Sequence, residues 1–126
     1  MIKKHLEKDD ALNILKAVIA GMQDKKAKKI ISLDLSKIGN SVTNYFVICH
    51  APSKVQVEAI YDNVLEFVRK KCETKPFNKE GLENAEWILI DYFDVVIHIF
   101  LEDIRSFYKL EDLWADAVLK EYKSDD

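Results

Sequence analysis

The sequence predicts a mixed α/β domain, a β-sheet flanked by helices, with elements in the order α-β-β-α-(β)-β-β-α. Three observations carry this. Residues 10–23 and 53–72 repeat apolar side chains at helical spacing, whereas 29–35, 44–50, 86–91 and 94–101 are apolar runs rich in β-branched and aromatic residues. Only three Gly and two Pro occur in 126 residues, too few for a loop-rich or disordered chain. A chain of this length fits one domain and buries a core without disulfides or metal.

The first helix places Ala11, Leu12, Ile14, Leu15, Val18, Ile19 and Met22 on one side, with Asp9 or Asp10 as its cap. Lys25, Lys26, Lys28 and Lys29 follow it, where cations complement the helix dipole; contact with RNA is the alternative reading. KIISLDL is the first strand, and a turn centred on Gly39 and Asn40 leads to NYFVICH, the second. Ser53 caps a helix running to Cys72, closed by Arg69, Lys70 and Lys71. Thr74–Asn78 reads as a short edge strand, since Pro76 is tolerated at an edge.

A hairpin then pairs Glu86–Asp91 with Asp94–Leu101, with Tyr92 and Phe93 at its turn. A turn of helix over Asp103–Tyr108 leads to a second over Leu110–Leu119, in which Trp114 is an anchor to the core. The domain therefore spans residues 1–119, and 120–126 form a frayed tail. Residues 87–114 hold two Trp, two Tyr and three Phe, a density that suits a gripped surface better than a catalytic centre.

Chemical motifs are scarce. No C-x-x-C or H-E-x-x-H is present, and His5, His50 and His98 are scattered, so no metal is expected. Phosphate-binding glycine motifs are missing, so no nucleotide cofactor is expected. Cys49 and His50 are adjacent on a strand and point to opposite faces, which excludes a nucleophile–base pair. Asp91 and Asp94 flank the hairpin turn; Mg²⁺ binding is one reading, and capping of a tight turn the simpler one. The start, MIKKHLEKDD, has no apolar core and no run is long enough to span a bilayer, so a cytoplasmic protein with no membrane contact is expected.

Charge is uneven. Residues 1–79 carry 15 Lys and Arg against 9 acids, and residues 80–126 carry 4 against 13. An acidic half bearing the aromatic hairpin favours a basic protein as partner. Alternation puts Trp87, Leu89 and Asp91 on one face and Glu86, Ile88 and Ile90 on the other. Trp87, Leu89, Asp91 and Tyr92 are the expected partner contacts, with Asp94, Arg105 and Tyr108 near them; a core role is the alternative for Trp87.

The runs W-I-L-I-D-Y-x-D-V-V-I-H-I-F and R-S-F-Y-x-L-E-D-L-W together resemble the signature of the ribosomal silencing factor family, the Iojap-like proteins. S-V-T-N-Y-F-V-I-C, S-K-V-Q-V-E-A-I and I-I-S-L-D-L resemble other segments of that family, so the likeness covers Leu12 to Trp114. It implies a nucleotidyltransferase-like fold without catalytic apparatus. It also implies binding to the large ribosomal subunit through its ribosomal protein number fourteen, which sterically blocks joining of the small subunit and represses translation when nutrients are short. Asn44 stands where the family usually has Asp, His50-Ala51-Pro52 replaces Thr-Gly-x, and Phe93 replaces the common hairpin Gly. A nucleotidyltransferase-like enzyme with residual nucleotide or metal binding is the alternative function. A homodimer through the apolar hairpin is a further alternative, and ribosomal RNA a minor additional contact.

Overall fold

The computed structural model describes residues 8–39 and 43–124. Its elements are α1 (Lys8–Asp24), β1 (Lys28–Asp34), β2 (Tyr45–Ala51), α2 (Lys54–Cys72), β3 (Asn78–Glu80), β4 (Trp87–Asp91), β5 (Val95–Leu101), α3 (Glu102–Tyr108), a 3-10 helix (Leu110–Trp114) and β6 (Val118–Tyr122). The predicted α/β class and the two long helices are as the periodicity requires. Asp9 and Asp10 lie inside α1, not ahead of it, and His5, Asn40 and Ser41 fall outside the described residues.

The six strands form one mixed sheet in the order β3-β4-β5-β2-β1-β6. Only β2 and β5 pair in parallel, from Tyr45↔Val95 to Ala51↔Leu101. They occupy the centre and are covered on both faces, which is why both read as unbroken apolar runs. The hairpin β4–β5 pairs Trp87 with Phe100, Leu89 with His98 and Asp91 with Val96.

Helices α1 and α2 pack together on one face. Ile14, Val18 and Met22 of α1 and Ile60, Val64 and Val68 of α2 bury Val47, Cys49, Ile88, Ile90, Ile97 and Ile99 beneath them. Ser53 caps α2, its hydroxyl accepting from Gln56 N at 3.2 Å. The opposite face is only half covered. A smaller cluster of Ile31, Leu33, Leu35, Ile48 and Phe100 is roofed by Ile104 of α3 and by Leu110 and Trp114 of the 3-10 helix.

Two ends depart from expectation. Strand β3 begins after Pro76 rather than before it: Pro has no N–H to give, and Phe77 N supplies the first bond, to Asp91 O at 2.7 Å. The expected helix over Leu110–Leu119 stops at Trp114, and residues 118–122, expected to end a helix and begin a tail, are an edge strand. Its ladder to β1, Asp34↔Val118 through Ile30↔Tyr122, satisfies backbone groups that a frayed end leaves to water. Side chains reinforce it: the hydroxyls of Tyr122 and Ser32 are 2.9 Å apart, and Gln23 Nε2 donates to Lys123 O at 2.9 Å.

Candidate interaction surface

The half-covered face carries a row of rings that crosses the sheet. Trp114 of the 3-10 helix meets Phe46 of β2 edge-on, with centroids 5.6 Å apart. Phe46 meets His98 of β5 at 4.9 Å, and His98 lies 5.9 Å from Trp87 of β4. Trp87 meets Tyr108 of α3 at 5.1 Å, and Tyr108 meets Phe107 edge-on at 5.1 Å. Each neighbour is in the tilted or edge geometry that aromatic quadrupoles favour. The α3 end of the row is open to solvent, with Phe107 78 % and Tyr108 52 % exposed; at the other end Leu113, next to Trp114 in the 3-10 helix, is 74 % exposed. Strands set the inner rings and short helices set the outer ones, so a largely fixed platform carries an exposed apolar rim.

Trp87 is the pivot. Its indole Nε1–H donates to His98 Nδ1 at 3.0 Å, and its ring lies 4.8 Å from Phe100. It is half-buried, a seated platform residue rather than a free knob. The acceptor role of Nδ1 puts the proton of neutral His98 on Nε2, which is buried with no hydrogen-bond partner. Burial alone lowers the His98 pKa to about 4, so the ring is neutral near pH 7. Gly81 supports the approach to β4. Its φ is +82°, and a Cβ there would sit 2.0 Å from the Trp87 carbonyl oxygen.

Of the expected contact residues, Trp87, Leu89, Asp91 and Tyr108 share or border this face. Three others are corrected. Tyr92 is buried on the helix side, its hydroxyl without a partner and its pKa raised chiefly by burial. Asp94 is fully buried at the mouth of β2, where its backbone oxygen accepts from Asn44 N and Tyr45 N at 3.2 and 3.0 Å. Asn44 Nδ2 also faces Asp94 Oδ1 at 3.5 Å; a carboxylate at residue 44 would face it with like charge. Arg105 is buried and committed to the fold. Its guanidinium reaches Glu111 Oε2 through Nη2 at 2.8 Å and Nε at 3.2 Å, and Nη1 donates to Lys29 O at 2.7 Å. Nη1 also lies 3.1 Å from His50 Nδ1. Asp91 closes the hairpin, accepting from Phe93 N at 2.6 Å.

Sequence reasoning does not single out Phe46, His98, Phe107 or Leu113 for this face. Alternation alone could place His98 with Phe100, but bringing Phe46 beside it needs the parallel register of β2 on β5.

A cleft of about 620 Å³ opens at the carboxyl ends of β2 and β5, lined in part by Lys28, Lys29, His50, Glu102, Arg105 and Glu111. Its charges are largely matched internally: Arg105 pairs with Glu111, and His50 Nε2 lies 3.5 Å from Glu102. Burial and then the Arg105 charge hold the His50 pKa below its usual value. Cys49, on the opposite face from His50, is buried with its pKa pushed up to about 12 by desolvation. Among the described residues no three His, Cys, Asp or Glu side chains are grouped to hold a metal ion, and no helix is long and apolar enough to cross a membrane.

A mixed sheet with two helices on one face and a ring-lined, half-covered surface on the other defines an α/β protein. The family model described as "ribosomal silencing factor during starvation" matches residues 8–126, and the chain belongs to that family. The ribosomal silencing factor of Bacillus subtilis is 42 % identical over 108 residues, 85 % of this chain and 89 % of that protein. The mouse protein named for mitochondrial assembly of the ribosomal large subunit is 34 % identical over 74 residues, 57 % of this chain and 32 % of its own. A crystal structure from Chromobacterium violaceum superposes with a TM-score of 0.78 at 34 % identity, covering 83 % of this chain and 86 % of that one. One from Bacillus halodurans gives 0.72 at 35 %, covering 82 % and 94 %. The names of these relatives, a silencing factor and a large-subunit assembly protein, indicate no catalytic activity.

Proposed function

We propose that this chain binds the large ribosomal subunit through its ribosomal protein number fourteen and sterically blocks joining of the small subunit, repressing translation when nutrients are short. The observation that carries the reading is the row of rings from Trp114 to Phe107, with Tyr108 and Phe107 exposed at one end and Leu113 exposed beside Trp114 at the other. Seated aromatic anchors with an apolar rim are the composition of a protein-binding hot spot. The acidic half of the chain, residues 80–126, supplies every ring of this row except Phe46, which suits a basic ribosomal protein. The names of the relatives, silencing factors in bacteria and a large-subunit assembly factor in mouse mitochondria, agree with a ribosomal site.

The test is a subunit-joining assay on sucrose gradients. Added protein should shift joined ribosomes toward free subunits; no shift would sink the blocking mechanism. Trp87→Ala should weaken binding to the ribosomal protein by about 2 kcal/mol, roughly thirtyfold. It also strips His98 of its donor, so Leu113→Asp, at an exposed site, serves as the fold-neutral companion. Both variants binding at wild-type affinity would refute the assignment of this face.

A further inference from the structure

A second surface is built from lysines. The turn between α1 and β1 exposes Lys25 and Lys26, the irregular start of β1 exposes Lys29, and the first turn of α2 exposes Lys54. Gln56 joins the two segments: its Nε2 lies 3.2 Å from Lys25 O and 3.4 Å from Lys26 O. The first turn of α2 contains no acid, so the positive end of that helix adds to the same field. Of the acids nearby, Asp24 accepts from Asn63 Nδ2 at 3.0 Å and Glu102 faces His50, while Glu58 follows Lys54 by one turn of α2 and Glu121 lines the cleft beside Lys29.

The helix dipole of α1 accounts for little of this. Its last turn holds no basic residue, and the dipole effect fades beyond the final turn. Two of the lysines also sit where lysine is a poor choice of residue. Lys26 has φ +58° and Lys29 +48°, left-handed backbone that Gly or Asn adopts with less strain.

We infer that Lys25, Lys26, Lys29 and Lys54 form a contact for the phosphate backbone of RNA, which on a large subunit means ribosomal RNA beside the protein partner. The inference rests on the proposed ribosomal binding. No aromatic side chain lies among these lysines in sequence, and long ammonium-tipped chains neutralise phosphates without reading bases. The patch is tied to the docking face through Arg105, whose Nη1 holds Lys29 O and which stands one helical turn before Tyr108 on α3. A chain resting on protein through the rings thus carries a basic rim for adjacent RNA, although its net charge is −3.

The experiment measures binding of the full chain to purified large subunits across a KCl series at fixed Mg²⁺. It compares wild type with K25Q/K26Q/K29Q/K54Q and with a control, K16Q/K71Q/K75Q/K79Q, that removes equal charge from exposed sites outside the patch. The patch variant should bind at least about tenfold more weakly at low salt. Its plot of log K against log salt should be shallower by about 2 or more, near one for each phosphate no longer neutralised. The control should match wild type in both, and the patch variant should bind isolated ribosomal protein number fourteen as wild type does. Unchanged affinity and slope in the patch variant, with wild type bound, overturns this inference alone. An equal loss in the control reduces the effect to overall charge and overturns it too. A parallel loss toward the isolated protein makes the patch a protein contact and likewise overturns it. Wild type failing to bind subunits at all defeats the proposed function and the inference with it.

Discussion

Phe93 has φ +73° in the tight turn closed by Tyr92 N to Val95 O at 2.9 Å, the position at which hairpins commonly use Gly. A bulky side chain in left-handed backbone costs on the order of 1–2 kcal/mol. Phe93→Gly should therefore raise stability by about 1 kcal/mol in urea denaturation, once the missing ring packing is offset; a lower midpoint would contradict the strain assignment. His98 gives a pH signature. Its folded pKa is near 4 and its unfolded value near 6.5, so the unfolded chain binds the extra proton between them. The stability tied to the neutral ring is complete above pH 6.5 and is lost as pH falls toward 4, at up to roughly 1.4 kcal/mol per unit. His50 shifts in the same direction. His98→Gln should flatten the slope of unfolding free energy between pH 6.5 and 4; an unchanged slope would mean that His98 does not titrate as placed. Alternation correctly divides Trp87 and Leu89 from Ile88 and Ile90. Continued two more residues it also puts Tyr92 with Ile88 and Ile90, a step that the hairpin's local polarity obscures.

At the scale of elements, Arg105 fastens α3 and the 3-10 helix to the sheet. It binds Glu111 across the αL turn at Lys109 and reaches the backbone of β1 at Lys29. Arg105→Ala removes the charge partner of Glu111 and the donor to the Lys29 carbonyl, and should cost on the order of 3 kcal/mol in thermal or chemical unfolding. Arg105→Lys should recover only part, because one ammonium cannot span both acceptors. A loss below about 0.5 kcal/mol would show that the clamp holds nothing. Sequence alone assigns this residue to the surface, because its clamping role depends on Lys29 and His50, far away in the chain. The misplacement of β6 has the same origin. VLKEY is short and largely exposed, and only the ladder to β1 distinguishes it from the end of a helix.

For the whole molecule, the fold class, the long helices and the central strands are legible because their periodicities are local. The ring-lined face is legible only in part. Its rings come from β2, β4, β5, α3 and the 3-10 helix, and no single segment displays them together. Charge remains divided across the assembled fold: the ring-bearing segments belong mainly to the acidic half, while the lysine turn belongs to the basic one. If both proposed contacts form, one with a basic protein and one with a polyanion, each should weaken with salt.

The position of β6 has a consequence for biogenesis. It is the outer neighbour of β1 but follows the other five strands in chain order. As the polypeptide emerges, β1 can pair with β2 early, yet its other edge stays open through the synthesis of α2, β3, β4, β5 and α3. During that interval the nascent chain presents an unsatisfied ladder able to pair with any extended segment nearby. Sealing that edge is a late event, because every other strand precedes β6 in the chain.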